Sequence, residues 1–210
     1  MFKPIATGRS FGSIRVRTPA ASAGQRIGIM GGTFNPPHAG HAQVAKAAIK
    51  RLRLDRLWWV VTPGNPLKAH GDLPSQEERM ANCRALLDDH RIVVTGFEQE
   101  LGGAYTADTL GFLKRRHPGV RFVWIMGADG LESLHRWNHW RSIAASFPIA
   151  VLDRPGYRLF AMASPAAIAL RPHYVPEAEA ARIADLPPPA WTLLTVRLSP
   201  LSSTLLRERR

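Results

Sequence analysis

The chain has 210 residues, 45% of them hydrophobic, which suits one globular domain with a full hydrophobic core. No window approaches the roughly 18 consecutive apolar residues of a membrane span, and a single cysteine excludes an internal disulfide, so we expect a cytoplasmic protein without a membrane partner. The formal net charge of +12 indicates anionic partners, either nucleic acid or phosphorylated metabolites, and does not by itself choose between them.

The first 25 residues place basic side chains among Ser, Ala, Gly and Pro without any periodicity. They lack the apolar core of a secretory signal, so the composition predicts a flexible basic N-terminal extension over residues 1–25. The folded domain is then predicted to span residues 26–210.

From residue 26 onward, short apolar runs alternate with helical patterns. The apolar runs predict strands over residues 27–30, 57–61, 92–94, 120–126, 148–152 and 193–198. Helices are predicted over 42–53, over about 75–88 behind a capping box at Ser75, and over 107–116 behind an N-cap at Thr106. Shorter helices are predicted at 131–134 and 139–146, and a last helix begins at residue 202. Residues 156–190 show little pattern. This alternation predicts a single-domain α/β fold, a doubly wound parallel sheet with helices on both faces. Ligands of such sheets bind beyond the carboxyl ends of the strands.

Some reactive or aromatic side chains are better explained as core residues. Cys83 lies in a helical, largely apolar neighbourhood and is predicted to be a buried, inert thiol. Trp58, Trp59 and Trp124 lie within predicted strands and are expected in the core.

The stretch over residues 27–41 reads IGIMGGTFNPPHAGH. A strand that stops at Gly31 and Gly32 and restarts as a helix brings backbone N–H groups and a positive helix end together, which predicts a phosphate-binding turn. No GxGxxG motif is present and no GK[ST] follows the glycines, which disfavours a dinucleotide-binding turn and a P-loop.

His38 and His41 stand three residues apart where the helix begins, so both rings are expected to face the same way. The pair could hold zinc, supply a general base, or donate hydrogen bonds to phosphate oxygens. A zinc site needs a third ligand, and the HExxH pattern is absent. Beside the two glycines, the phosphate role is the one we favour.

The motif GGTFNPPHAGH resembles the GGxFDPxHxGH signature of the HxGH nucleotidyltransferases, a Rossmann-like superfamily. Near the C-terminus, LSSTLLR resembles the ISSTxIR signature of its adenylyltransferases. Between them, GAYTADTL, WIMGADGLESLHRW and VLDRPG resemble, in this order, blocks of the bacterial nicotinate-nucleotide adenylyltransferases. The resemblance covers about residues 27–207. It implies a nucleotidyltransferase domain that transfers AMP from ATP to nicotinate mononucleotide, giving deamido-NAD and pyrophosphate in NAD biosynthesis.

The resemblance also assigns an ATP site by position. The residues implied to bind ATP are Gly31, Gly32, Thr33, Phe34, His38, His41, Ser203, Thr204 and Arg207. Catalysis by charge neutralisation is implied for His38, His41, Lys68 and Arg207, with Mg²⁺ carried on ATP rather than on a protein metal site.

The mononucleotide site is implied to lie elsewhere on the chain. Tyr105 and Thr106, at a helix start, resemble the nicotinate-ribose site of the family, and Trp137 resembles the aromatic residue that stacks on the pyridine ring. Asp129 resembles a carboxylate on the ribose side. The alternatives are ordinary packing for Trp137 and a helix cap for Asp129.

The chain departs from the family pattern at two positions. Asn35 replaces the commoner Asp, so an essential carboxylate at this turn is not expected. The loop PGNPLKAH keeps a lysine, Lys68, but lacks the histidine that precedes it in many members.

Other activities remain open at this point. The acceptor could be nicotinamide mononucleotide or phosphopantetheine, or the chain could be an RNA-binding relative with a HIGH-type motif. Nucleic acid is disfavoured as a partner because no KMSKS-like loop and no RNA-binding signature is present. The sequence leaves a homo-oligomer open.

Overall fold

The computed structural model describes residues 16–64, 73–102, 105–153 and 156–196. Its strands form one all-parallel sheet in the order β3-β2-β1-β4-β5-β6. The strands are β1 (Arg26–Gly32), β2 (Arg56–Val61), β3 (Ile92–Thr95), β4 (Arg121–Gly127), β5 (Ile149–Leu152) and β6 (Trp191–Leu194).

Helices connect the strands and cover both faces of the sheet. They are α1 (Ala39–Arg51), α2 (Gln76–Leu86), α3 (Glu98–Leu101), α4 (Thr106–Arg116), α5 (Ala128–Ser133), α6 (Trp140–Ser146), α7 (Arg158–Met162) and α8 (Pro165–Ala169). Short 3₁₀ helices occupy Leu134–Arg136, Arg171–His173 and Glu177–Asp185. The predicted doubly wound α/β fold is thereby confirmed, and no helix of the described part is long and apolar enough to span a membrane.

The position of β1 in the sheet decides where a ligand can bind. β1 pairs with β2 on one side and with β4 on the other, so the strand order reverses between β1 and β4. At such a reversal the connections leave the sheet in opposite directions and open a crevice at the carboxyl ends of the strands. The turn after β1 and the start of α5 after β4 border this crevice.

Each face of the sheet has its own hydrophobic cluster, because successive side chains of a strand point to opposite faces. Trp58 and Trp124 pack on one face, whereas Trp59 packs on the other with Cys83. All three tryptophans are buried, as predicted. Cys83 is also buried, as predicted, and burial raises the pKa of its thiol to about 12, which disfavours the reactive thiolate form.

Several predicted boundaries are wrong. β1 was predicted to end at residue 30, but it continues through Gly31 and Gly32. The two glycines pair with Val60 and Val61 of the neighbouring strand β2, which extends the ladder. Tyr105, not Thr106, is the N-cap of α4, and Thr106 is the first helical residue. The patternless stretch 156–190 contains α7, α8 and two of the 3₁₀ helices, and β6 begins two residues earlier than predicted.

The N-terminal segment packs against the domain where the structure describes it. The Thr18 hydroxyl lies 2.9 Å from His117 Nε2, and the Gly24 amide donates to the Gly119 carbonyl at 2.8 Å. Residues 16–25 are therefore not a free extension. Residues 1–15 and the predicted helix from residue 202 lie outside the described residues.

Candidate active site

The turn after β1 begins in the crevice and has an unusual backbone. Phe34 has φ of +47°, in the left-handed region that costs a non-glycine residue about 1–3 kcal/mol. Its ring is buried and stacks on Trp59, with the ring centroids 4.8 Å apart. The packing of the ring therefore holds the strained turn, and the left-handed backbone redirects the chain toward α1.

Gly31 has a packing role that the sequence analysis did not foresee. A Cβ at this position would lie 2.8 Å from the ring of Trp124, too close for any side chain. At Gly32 a Cβ would lie 3.3 Å from the ring of Phe34. Both glycines thus let aromatic rings pack against the end of β1, whereas the turn itself begins at Thr33.

His38 and His41 come together as predicted. His38 is the N-cap of α1 and is buried, and the two ring centroids are 3.8 Å apart. The His38 amide donates to His41 Nδ1 at 3.2 Å. Because Nδ1 accepts this bond, the proton of a neutral His41 ring is on Nε2, which makes Nε2 the donor nitrogen.

The surroundings of the pair favour an anion. The first turn of α1 carries no acidic side chain, so the positive helix end is not neutralised there. The plane of the His41 ring is steeply inclined to two aromatic rings, at 63° to Phe34 and 75° to Trp59, with centroid distances of 5.2 Å and 6.2 Å. Among the described residues, no cluster of three His, Cys, Asp or Glu side chains could hold a metal ion, so the zinc hypothesis gains no third ligand there.

Three of the predicted mononucleotide residues lie at helix starts, Tyr105 and Thr106 at the start of α4 and Asp129 in the first turn of α5, whereas Trp137 directly follows the 3₁₀ helix Leu134–Arg136. Tyr105 is the exposed N-cap of α4, followed by Thr106. Asp129 is the second residue of α5, whose N-cap is Gly127, so it is not the cap that the alternative interpretation proposed. Trp137 is half-buried, and its indole N–H donates to Ser133 Oγ at 3.2 Å.

The remaining predicted site residues lie outside the described residues. They are Lys68, Ser203, Thr204 and Arg207. Their assigned roles stay predictions.

Arg79, on α2, is a buried cation that the sequence analysis missed. It is 1% exposed, and burial lowers the pKa of its guanidinium. Its described hydrogen bonds go to the carbonyl oxygens of Thr33, Thr62, Pro63 and Pro74. The available signal was its spacing of four from Cys83, which places Arg79 on the apolar face of the helix.

Glu98, on α3, is a buried carboxyl group at the carboxyl edge of the sheet. It is 4% exposed, and the Thr109 hydroxyl donates to its Oε1 at 2.6 Å. Burial raises the pKa of Glu98, and the bond from Thr109 opposes that rise. The bond joins α3 to the first turns of α4, so Glu98 helps to set the position of the α4 start.

Glu98→Gln is expected to make stability less dependent on pH. The folded state binds the Glu98 proton more tightly than the unfolded state, so the wild-type protein loses stability as pH rises from the ordinary glutamate pKa through the raised folded-state pKa. Glutamine cannot titrate and still accepts from Thr109. The Tm of the variant relative to wild type should therefore increase from about pH 4 to about pH 8 in thermal melts. A Tm difference that stays constant would contradict the buried-acid assignment, and Glu77→Gln, at an exposed position, controls for removal of one carboxyl group.

Comparison with known protein families gives a consistent result. The family model described as cytidylyltransferase-like matches residues 29–209. A probable nicotinate-nucleotide adenylyltransferase of Methylorubrum extorquens is 55% identical over 184 residues, covering 88% of this chain and 100% of that protein. One of Agrobacterium fabrum is 53% identical over 182 residues, covering 87% of this chain and 97% of that protein.

Solved structures show the same fold. The nicotinic acid mononucleotide adenylyltransferase of Plasmodium falciparum, complexed with NaAD, matches with a TM-score of 0.66 and 18% identity, covering 88% of this chain and 83% of that one. The same enzyme complexed with APC matches with a TM-score of 0.64 and 17% identity, with the same coverage of both chains. At such low identity the likeness concerns the fold.

Proposed function

The chain belongs to the cytidylyltransferase-like family and, within it, to the nicotinate-nucleotide adenylyltransferases, and from this premise we propose that it transfers AMP from ATP to nicotinate mononucleotide. The products are deamido-NAD and pyrophosphate, so the enzyme is a nucleotidyltransferase of NAD biosynthesis.

The observation that carries this proposal is the paired imidazoles at the start of α1. The rings lie 3.8 Å apart at a positive helix end, beside the strained turn after β1. His41 presents Nε2 as its donor, because Nδ1 is occupied by the His38 amide. Such a donor gains strength when negative charge builds up on the transferred phosphate and its leaving group. We assign the ATP phosphates to this pair, and the ribose and base to the backbone of Thr33 and Phe34.

The reaction needs no general base in this site. The nucleophile is the phosphate of nicotinate mononucleotide, whose second pKa is about 6, so it is largely ionised at neutral pH. It attacks the α-phosphorus of ATP, the bond from that phosphorus to the bridging oxygen breaks, and pyrophosphate leaves with the bond electrons. The protein therefore contributes positioning and charge neutralisation. An Asn at position 35 agrees with this, since no carboxylate is needed in the turn.

The acceptor site is proposed at the starts of α4 and α5. The N–H groups of the first turn of α4, beyond Tyr105, suit the carboxylate of the pyridine ring, because an anion is favoured at a helix N-terminus. Trp137 is proposed to stack on that ring, held in place by its bond to Ser133. Asp129, in the first turn of α5, is proposed to accept hydrogen bonds from the ribose hydroxyls.

Mg²⁺ is proposed to arrive with ATP. Mg²⁺ prefers oxygen ligands, and the imidazoles beside the turn are not such ligands. When bound, Mg²⁺ supplies further neutralisation of the triphosphate charge. Lys68 and Arg207, with Ser203 and Thr204, are proposed to complete the phosphate site from the rest of the chain.

Pyrophosphate release tests the proposal. The purified protein is given ATP and Mg²⁺ with nicotinate mononucleotide, nicotinamide mononucleotide or phosphopantetheine offered separately. We expect the fastest release with nicotinate mononucleotide. Faster release with either other acceptor would reassign the substrate. Absence of release with all three, together with tight and salt-sensitive RNA binding, would favour the RNA-binding alternative instead.

A further inference from the structure

We propose that Arg79 is a positioning residue of the ATP site, which holds the turn after β1 in its binding conformation through the carbonyl of Thr33. The inference rests on the proposed function for its ligand, ATP. Arg79 itself lies beneath the turn and is not proposed to contact the nucleotide.

The guanidinium of Arg79 joins segments that are distant in the sequence. Its Nη1 donates to Thr33 O at 2.7 Å and to Thr62 O at 2.9 Å. Its Nη2 donates to Pro63 O at 3.2 Å, and its Nε donates to Pro74 O at 3.0 Å. One side chain thus ties the turn after β1, the chain leaving β2, and the chain entering α2.

The bond to Thr33 has a direct consequence for Phe34. The Thr33–Phe34 peptide bond is trans, so the carbonyl of Thr33 and the N–H of Phe34 point in opposite directions. When Arg79 fixes the carbonyl on the protein side, the Phe34 N–H points away from Arg79. The Phe34 backbone, which we assign to ATP, is therefore oriented by Arg79 before the nucleotide binds.

The chemistry of Arg79 suits a side chain that orients the turn after β1 better than one that stabilises the folded protein. A buried cation loses its hydration, and in the described part of the chain no carboxylate forms an ion pair with it to offset that cost. A planar guanidinium, however, offers five donors in a fixed geometry, which an ammonium cannot reproduce. It satisfies carbonyl groups of separate loops that no regular secondary structure pairs.

A neighbouring side chain extends the same arrangement. Gln76, one turn earlier on α2, donates through Nε2 to Val61 O at 2.6 Å and to Gly96 O at 3.3 Å. The first turn of α2 therefore binds the ends of β2 and β3, while Arg79 binds the turn after β1. Three strand ends at the nucleotide edge are held by one helix.

The test is the affinity for ATP with Mg²⁺ and without an acceptor, measured by titration calorimetry. Arg79→Met keeps the length of the side chain and removes its donors. We expect the Kd for ATP to rise by about tenfold or more, because the turn must be ordered upon binding. Arg79→Lys keeps the positive charge but not the planar group with five donors, and we expect a smaller rise in the Kd for ATP.

Two controls separate orientation from loss of stability. Leu52→Ala removes a buried side chain at the other end of α1 and is expected to lower Tm while leaving the Kd for ATP unchanged. Arg84→Met removes an exposed arginine from the same helix and should change neither quantity. All proteins are measured well below their Tm.

The outcomes distinguish this inference from the proposed function. An ATP affinity of Arg79→Met equal to that of Leu52→Ala would overturn the positioning role. If Arg79→Met does not fold, an unchanged Kd in Arg79→Lys overturns it equally. Because the titration contains no acceptor, a wrong acceptor assignment would leave this result intact. Failure of the wild-type protein to bind ATP would instead overturn the proposed function.

Discussion

His41→Ala is expected to lower kcat by about 100-fold or more, the range for loss of one preorganised donor to a developing negative charge. Nε2 of His41 carries the ring proton because Nδ1 accepts from the His38 amide. A donor that strengthens in the transition state affects kcat more than the Michaelis constant for ATP. Steady-state pyrophosphate release, with each substrate varied in turn, measures both quantities.

The His41 experiment needs variants that control for folding and for the donor itself. His173→Ala removes an exposed histidine outside the site and should retain full activity. His41→Asn returns a donor at a shorter reach and should lose less activity than the alanine variant. If His41→Ala keeps near-wild-type turnover while its melting curve is normal, His41 has no role in the transfer step.

Trp137→Ala is expected to raise the Michaelis constant for nicotinate mononucleotide by about tenfold or more, since stacking of one base on an aromatic ring contributes about 1–3 kcal/mol. The bond from its indole N–H to Ser133 fixes one edge of the ring, and the side chain is only half-buried. The Michaelis constant for ATP and the value of kcat should change little, because the ring does not contact the reacting phosphates.

Trp140→Ala is the matched control for this prediction. Like Trp137, Trp140 is half-buried and packs against the hydrophobic cluster that contains Trp58 and Trp124. Unlike Trp137, it is covered by the guanidinium of Arg141, whose Cζ lies 4.5 Å from the centroid of the Trp140 ring. Its replacement should lower stability and leave the Michaelis constants alone. An equal rise in both variants would mean that Trp137 acts through packing and not through stacking.

Local sequence patterns were sufficient to predict the regular strands and helices of the fold. Strands such as β2 and β4 are continuous apolar runs because both of their faces are buried, and that property is readable along the chain. The His38–His41 pair was also predictable, since a spacing of three at a helix start places both rings on one side. The motifs GGTFNPPHAGH and LSSTLLR were likewise sufficient to indicate the family.

Long-range contacts decided the rest. The role of Gly31 depends on the ring of Trp124 in the neighbouring strand, and a pattern of adjacent residues carries no information about that ring. The short helices of 156–190 have too few turns for a periodic signal, so their packing, not their pattern, determines them.

Arg79 is the clearest case of a residue whose role is determined by the tertiary structure and not by the local sequence. In the sequence its spacing from Cys83 places it on the apolar face of α2, but a basic residue in a helix is usually exposed. Only the packing of α2 against the ends of β1 and β2 brings its donors to carbonyls 46 and 17 residues away. Every residue type has the same backbone carbonyl, so the amino-acid sequence does not show which carbonyls lack a hydrogen-bond donor from regular secondary structure. The motif proposed to bind the nucleotide lies in consecutive residues of the turn, whereas the proposed geometry of that turn depends on a side chain from another element.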